Sequence, residues 1–200
     1  MAERGRPRTF DRTDALRRAM RVFWAKGYAS ATLAELTEAM GIKPPSLYAA
    51  FGDKDRLFHE AVALYGAEEG GAPLRALQAA AGLRAGLDAM LRAAVALYTG
   101  PGRPAGCLVV TSAVLDTAPD SPLAAELAAQ RQRLRAALGT RLALALKAGE
   151  LPPGTDCAGL AEFYAAVLNG LSVRARDGAN RRALLAAVRP ALAALPAPPG

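Results

Sequence analysis

Cysteine, histidine and tryptophan are nearly missing from this 200-residue chain, which has two, one and one of them. Cys107 and Cys157 are too few for a disulfide framework and lack a paired metal spacing, so both are expected as reduced thiols. His59, beside Glu60 on a helical pattern, has no second ligand-type residue at a metal spacing and no serine and aspartate to complete a catalytic triad. There is no GxGxxG run and no phosphate-binding loop. No enzyme chemistry, metal or cofactor is therefore expected. Aromatic residues make up only 6% and β-branched residues are scarce, which argues against pleated sheet. No apolar run reaches the ~18 residues of a membrane span, and no apolar segment follows the Arg-rich start as in a secretory leader. The expectation is a cytoplasmic protein with no membrane partner.

Alanine and leucine dominate, and 52% of residues are hydrophobic, enough to bury a core in one or two domains. The expected class is all-α. The formal charge of +7 is unevenly spread: eight Arg or Lys stand against three acids between Met1 and Lys26. A basic arm of this kind favours a polyanionic partner.

Local signals divide the chain into about nine helices. From Asp11, the spacing of Leu16, Ala19, Met20, Phe23 and Trp24 makes one apolar face, and Gly27 ends the first helix. Thr32-Leu-Ala-Glu35 is a capping box that opens a short second helix ended by Gly41. Pro44 and Pro45 mark the first turn of a third helix, where backbone N–H groups lack helical partners. Leu47 and Phe51 anchor that helix, and Gly52 ends it. Asp53 caps a fourth helix, and Gly66, Gly70, Gly71 and Pro73 place a seam after it. Further helices are expected over Leu83–Thr99, Gly106–Thr117 and Ser121–Gly149, the third of these about 40 Å long at 1.5 Å per residue. Asp156–Arg176 and Ala179–Leu195 complete the set.

Two short helices joined through Gly41-Ile42-Lys43 match the helix-turn-helix plan, whose second helix lies in the DNA major groove. With Leu47 and Phe51 inside, Lys43, Pro44, Ser46, Tyr48 and Ala49 remain outside. Lys54, at the start of the fourth helix, offers a phosphate contact.

The runs "FWAKGY", "ATLAELTEAMGI" and "PSLYAAFGDKDRLF" resemble the DNA-binding domain of the TetR family of bacterial transcriptional regulators, over about Thr9 to Tyr65. The resemblance implies that Tyr48 and Lys54 touch DNA phosphates and that Lys43, Pro44, Pro45 and Ala49 lie at the bases, with Thr32 and Ser46 beside them. Pro-Pro and Ala-Ala stand where longer polar side chains are usual, so readout should lean on Lys43, on thymine methyls, and on Arg4, Arg6 and Arg8 in a minor groove. The partners implied are a double-stranded DNA operator of inverted-repeat form, a small-molecule effector and a second copy of the chain. The corresponding division is 1–53 for the arm and reading head, 54–72 for a connecting helix, and 73–200 for effector binding and dimerisation. A helical ligand-binding or adaptor protein without specific DNA binding is the alternative that the plain reading face leaves open.

For the dimer, Leu160, Tyr164, Val167 and Leu171 form one stripe and Leu184, Leu185, Val188 and Leu192 another, suited to a four-helix bundle or to the subunit's own core. For the effector, the candidates are Met90, Tyr98, Val110, Val114, Leu134, Leu138, Phe163 and Leu168, with Thr111, Gln130 and Asn169 as polar handles. "GCLVVTSAVLD" and "GELPPGTD" resemble runs in one TetR subgroup, some of whose members sense electrophiles or oxidants through a cysteine. Cys107 is accordingly either a sensor, its pKa lowered by a helix N-terminus and nearby Arg103, or a small buried hydrophobe.

Overall fold

The computed structural model describes residues 10–115 and 121–197, and every regular element among them is helical. The elements are α1 (Arg12–Lys26), α2 (Leu33–Met40), α3 (Pro44–Phe51), α4 (Lys54–Tyr65), a π-helical turn (Gly66–Gly70), α5 (Ala72–Ala79), α6 (Leu83–Tyr98), α7 (Leu108–Leu115), α8 (Pro122–Lys147), α9 (Cys157–Arg176), α10 (Arg181–Leu185) and α11 (Val188–Ala193). The all-α expectation holds. These segments are the expected helices with α5 added and the last one broken in two.

Side chains cap several helix starts, Asp53 as expected among them. Asp11 accepts from the Thr13 and Asp14 amides, Asp53 from Arg56, Ser121 from Ala124 and Asn180 from Ala183. Phe23 of α1 meets Phe58 of α4 edge-on at 5.0 Å, and Trp24 meets Tyr65 at 4.9 Å, so aromatic pairs lock α1 to α4. One continuous apolar core runs from Ala15 through Leu195.

The glycine-rich stretch after α4 proves to be built rather than weak. Gly70 lies against the Tyr65 ring so closely that a Cβ there would overlap it. Glu68 pairs with Arg17 at 2.5 Å, and Glu69 with Arg21 at 2.6 Å and Arg103 at 3.1 Å. These charges tie the π-helical turn to α1 on one side and to the loop before α7 on the other.

The C-terminal segment turns inward. Arg84 donates to the Leu192 and Leu195 carbonyls at 3.1 and 3.2 Å, and the Tyr164 hydroxyl donates to the Ala191 carbonyl at 3.1 Å. Its carbonyls are thus satisfied by α6 and α9. Tyr164, Leu171, Leu184 and Val188 are buried within the subunit, while Leu160, Val167, Leu185 and Leu192 pack partly buried on the same core. Four of the eight residues of the two stripes are thus inside the subunit and four keep part of their surface open.

Candidate nucleic-acid interface and internal cavity

The turn between α2 and α3 is fixed by its backbone. Gly41 adopts φ +68°, a left-handed conformation that other residues rarely take, and donates to the Glu38 carbonyl at 3.0 Å. Ile42 donates to the Thr37 carbonyl, also at 3.0 Å. Upstream, the capping box is complete: Thr32 Oγ1 accepts from the Glu35 amide, and the Glu35 carboxylate accepts from the Thr32 amide. Lys26 pairs with the same carboxylate, and together these donors hold the Glu35 pKa down at about 2, Lys26 having the larger effect.

Pro44 and Pro45 occupy the first two positions of α3, and the Ser46 and Leu47 amides both bond to the Lys43 carbonyl at 2.9 and 3.2 Å. The prolines have no N–H, so the start of α3 offers no cluster of backbone donors to an anion. Recognition there must come from side chains and apolar contact. Leu47 and Phe51 are buried as expected, whereas Lys43, Pro44, Pro45, Tyr48 and Ala49 are exposed and Ser46 is half-buried. Tyr48, at 50% exposure, is one of the few large hydrophobic side chains standing out from the surface. Thr32 is exposed, and its hydroxyl is engaged in the cap.

Lys54 does not simply project outward. Its ammonium lies 4.4 Å from the Tyr28 ring centroid and donates to the Ala29 carbonyl at 3.4 Å, while the Tyr28 hydroxyl donates to Asp55. Burial, and then the Asp55 contact, push the Tyr28 pKa up to about 12. Arg4, Arg6 and Arg8 lie outside the described residues.

Arg12 is a support that the sequence reading missed, because it looked like one charge in a basic run. Its guanidinium stands 4.3 Å over the Phe51 ring, donates twice to the Ala50 carbonyl, and pairs with Glu60 at 2.7 Å. It thereby clamps the C-terminal end of α3 to α1 and α4.

A cavity of about 220 Å³ lies among α4, the π-helical turn, α5, the end of α6, α7, α8 and α9. Of the expected pocket residues, Tyr98, Cys107, Val110, Gln130, Leu134 and Asn169 line it. Met90, Thr111, Leu138 and Leu168 are not among its lining residues; they are buried in the core. Phe163 is 38% exposed on the outer face of α9, against Tyr164. The side chain of Val114 is outside the described part. Alanine-rich helices carry no sequence signal that ranks one apolar face over another, so spacing alone does not separate these positions.

The walls unforeseen from sequence are Val62 and Tyr65 of α4, Gly66, Gly70, Gly71, Leu74, Val109, Arg131 and Arg133. Tyr65 is 2% exposed, and its hydroxyl faces the Cys107 sulfur without a hydrogen bond of normal geometry among the described residues. Burial pushes that phenol well above its ordinary pKa. Burial also pushes the Cys107 thiol up, outweighing the Tyr65 hydroxyl, the Val110 and Val109 amides and the Arg131 charge, all of which pull it down. The expected activation by Arg103 fails because that guanidinium pairs with Glu69.

Comparison with known proteins decides the family. The model for bacterial regulatory proteins of the tetR family matches residues 15–61, and that for the tetracyclin repressor-like C-terminal domain matches residues 82–191. The chain belongs to the TetR family. It is 33% identical over 185 residues to the HTH-type transcriptional repressor ComR of Escherichia coli K12, covering 91% of this chain and 87% of that protein. It is 32% identical over 174 residues to the repressor BdcR of the same organism, covering 87% and 83%. A cysteine mutant of the TetR family regulator CifR, solved with 26-base-pair double-strand operator DNA, superposes with a TM-score of 0.91 at 46% identity, covering 96% of this chain and 100% of that one. The helix-turn-helix of this TetR family member makes it a DNA-binding transcriptional regulator.

In this TetR family chain the reading head and the cavity wall are directly bonded. Trp24 Nε1 donates to the buried Gly106 carbonyl at 3.1 Å, one residue before Cys107, whose own amide donates to Ser172 Oγ at 2.8 Å. Arg176, near the end of α9, donates to the Ala25 carbonyl at 3.0 Å, complementing the negative end of the α1 dipole. The α1 terminus, the loop before α7 and α9 thus share one set of hydrogen bonds.

Proposed function

We propose that the protein is a ligand-responsive repressor that binds an inverted-repeat operator as a homodimer in the cytoplasm. The observation that carries this is the α3 surface: five exposed residues from Lys43 to Ala49, held by buried Leu47 and Phe51 and clamped by Arg12. The naming of ComR and BdcR as repressors, and the operator-bound CifR structure, support extending it to repression. Residues 1–53 act as arm and reading head, 54–72 as connector, and 73–200 as effector and dimer domain. Tyr48 and Lys54 contact phosphates, with Lys54 swinging from Tyr28 to do so. Lys43, Pro44, Pro45 and Ala49 face the bases, flanked by Thr32 and Ser46, and Arg4, Arg6 and Arg8 follow a minor groove.

The dimer surface is assigned to α8 and α9. Ala136, Thr140, Ala143 and Leu144 are exposed on α8, and Phe163, Ala166, Gly170 and Val173 on α9, the two helices being bridged by Arg135–Glu162 at 3.1 Å. Leu144 is 56% exposed and Val173 40%, apolar area that a two-fold partner would cover. The effector occupies the cavity beside Tyr65 and Cys107 and acts by favouring a head spacing that no longer fits the operator. The "GCLVV" run is taken as the mark of a subgroup, and it supplies both the Gly106 bond to Trp24 and part of the cavity wall.

Selection of bound fragments from a genomic DNA pool tests this. One palindromic motif with half-sites about 34–36 Å apart or a multiple of that is expected. Equal binding of scrambled duplexes would instead support the adaptor reading.

A further inference from the structure

The cavity has an uneven polarity. Its linings include two arginines, Arg131 and Arg133, and no aspartate or glutamate among the described residues. Arg131 Nη1 is buried and makes no hydrogen bond among the described residues. Most carboxylates on the surrounding helices are committed elsewhere: Glu60 to Arg12, Glu68 to Arg17, Glu69 to Arg21 and Arg103, and Glu162 to Arg135, while Glu126 lies against the His59 imidazole with its Oε2 buried and without a normal hydrogen bond among the described residues. A guanidinium donor buried without an acceptor is costly, and such groups are nearly always paired in folded proteins. The Tyr65 hydroxyl is a second buried group without a normal hydrogen bond. Tyr65, Cys107 and Arg131 line the same cavity, so both unpartnered donors belong to residues of its wall. The rest of the wall carries no charge: neutral Tyr98, Gln130 and Asn169 stand among apolar Leu74, Val109, Val110 and Leu134.

We propose that the cavity takes a small apolar molecule bearing a carboxylate, with the head between Arg131 Nη1 and the Tyr65 hydroxyl and the apolar body against Leu74, Val110 and Leu134. This rests on the effector reading above and names the chemical class of its ligand. A carboxylate supplies two acceptor oxygens, and charge-assisted bonds to a guanidinium are about twice as strong as neutral ones. Size sets the body. An apolar cavity of about 150 Å³ holds benzene, so about 220 Å³ suits one ring with a short acid chain. The head also lies next to the Trp24–Tyr65 ring contact and the Gly106 bond, where a bound anion would act on α1.

The test is calorimetric titration of the full chain with 3-phenylpropanoate and its neutral counterpart 3-phenylpropanamide, repeated on Arg131→Met, Arg131→Lys and Tyr65→Phe. The fluorescence of Trp24, the sole tryptophan, gives a second readout. The carboxylate should bind at least tenfold tighter than the amide. Arg131→Met should abolish that preference, Arg131→Lys should retain part of it, and Tyr65→Phe should weaken it severalfold; a thermal melt of each variant checks that it folds. Equal affinity for acid and amide, a preference that survives in Arg131→Met, or no binding of the acid would each overturn the proposal. DNA release, measured in parallel on the selected operator, separates the two claims. Arg131-dependent binding without release leaves the ligand class standing and sinks the effector reading, whereas release by the amide independently of Arg131 does the reverse.

Discussion

Trp24 of α1 and Gly106, before α7, are joined by a buried hydrogen bond across 82 residues of sequence. The bond connects the helix that carries the reading head to the loop that carries Cys107. Trp24→Phe keeps most of the packing against Tyr65 but leaves the Gly106 carbonyl without its donor. Such an orphaned acceptor costs about 1–3 kcal/mol. Urea unfolding should show a lowered midpoint, and an effector that releases operator DNA should do so with a smaller change in affinity. An unchanged midpoint together with unchanged release would remove this bond from the coupling route.

Arg12 holds α3 from behind, and its loss should be felt in DNA binding although it stands on the far side of Phe51. Arg12→Ala strips the Ala50 carbonyl of two donors, the Phe51 ring of its cation and Glu60 of its partner. The site is partly exposed, so a stability loss of about 1–2 kcal/mol is expected. Operator affinity should fall several-fold. Arg18→Ala removes only an exposed pair with Asp14 and serves as the control, with little change in either quantity. Equal effects of the two substitutions in a binding titration would contradict the clamp.

Much of the reading head was legible because its signals are local. The Thr32–Glu35 box, Gly41, the Pro44–Pro45 turn and the Leu47–Phe51 spacing each act over four residues or fewer, and each appears as expected. Arg12, by contrast, works through Ala50 and Glu60, 38 and 48 residues away, and no spacing rule reaches that far. The cavity was half legible. Tyr98, Cys107 and Val110 stood out as bulky or reactive residues in alanine-rich surroundings. Tyr65 carries no such signal, because Cys107, which it faces, lies 42 residues on in the chain. The apolar stripe of 179–195 has the same pattern whether it meets a partner or its own α6. Arg84 and Tyr164, which bond to its Leu192 and Ala191 carbonyls, lie far off in sequence.

The outer face of α3 gives a prediction about the kind of contact made. Tyr48→Phe keeps the ring and removes the hydroxyl, and a lost phosphate hydrogen bond should weaken every duplex alike, by about 5–10-fold. Lys43→Ala should reduce the slope of log affinity against log salt by about one if Lys43 neutralises a phosphate. If it reads a base instead, the slope stays and discrimination at one operator position relaxes. Titrations at three salt concentrations with operator and point-substituted duplexes separate these outcomes. No change for Tyr48→Phe on any duplex would take its hydroxyl out of the interface.

Glu35 gives the reading head a defined acid sensitivity. Its pKa lies at about 2 in the folded chain, below the ordinary value of 4.5, so the folded state binds fewer protons there than the unfolded state. The stabilisation is full above about pH 4.5 and is lost as the pH falls toward 2. Protonation then breaks the Lys26 pair and half of the capping box. In Glu35→Gln the amide oxygen can still accept from Thr32, but the charge and its titration are gone. Urea midpoints at pH 7, 4 and 3 should fall less steeply for the variant than for the parent, once other carboxylates common to both are subtracted. Parallel curves would mean that Glu35 does not carry this dependence.

Cys107 decides between a covalent and a non-covalent sensor, and its protonation state is the measurable difference. The thiolate is the reactive form, and burial raises the thiol pKa in the folded chain. At pH 7.5 a smaller fraction is therefore ionised than in an unfolded thiol. Iodoacetamide should modify Cys107 more slowly in the native protein than in denaturant, by tenfold or more once limited access is included. The native rate should keep climbing through pH 8 to 9, as expected for a thiol whose pKa burial has raised. Peptide mass spectrometry follows Cys107 separately from Cys157. Fast modification at neutral pH, accompanied by DNA release that Cys107→Ser abolishes, would establish an electrophile sensor. Slow modification, with release by a reversible ligand unaffected by Cys107→Ser, would leave the thiol as a polarizable part of the cavity wall. The second outcome is the one expected, because Arg103, the cation nearest in sequence for activating the sulfur, is already paired with Glu69.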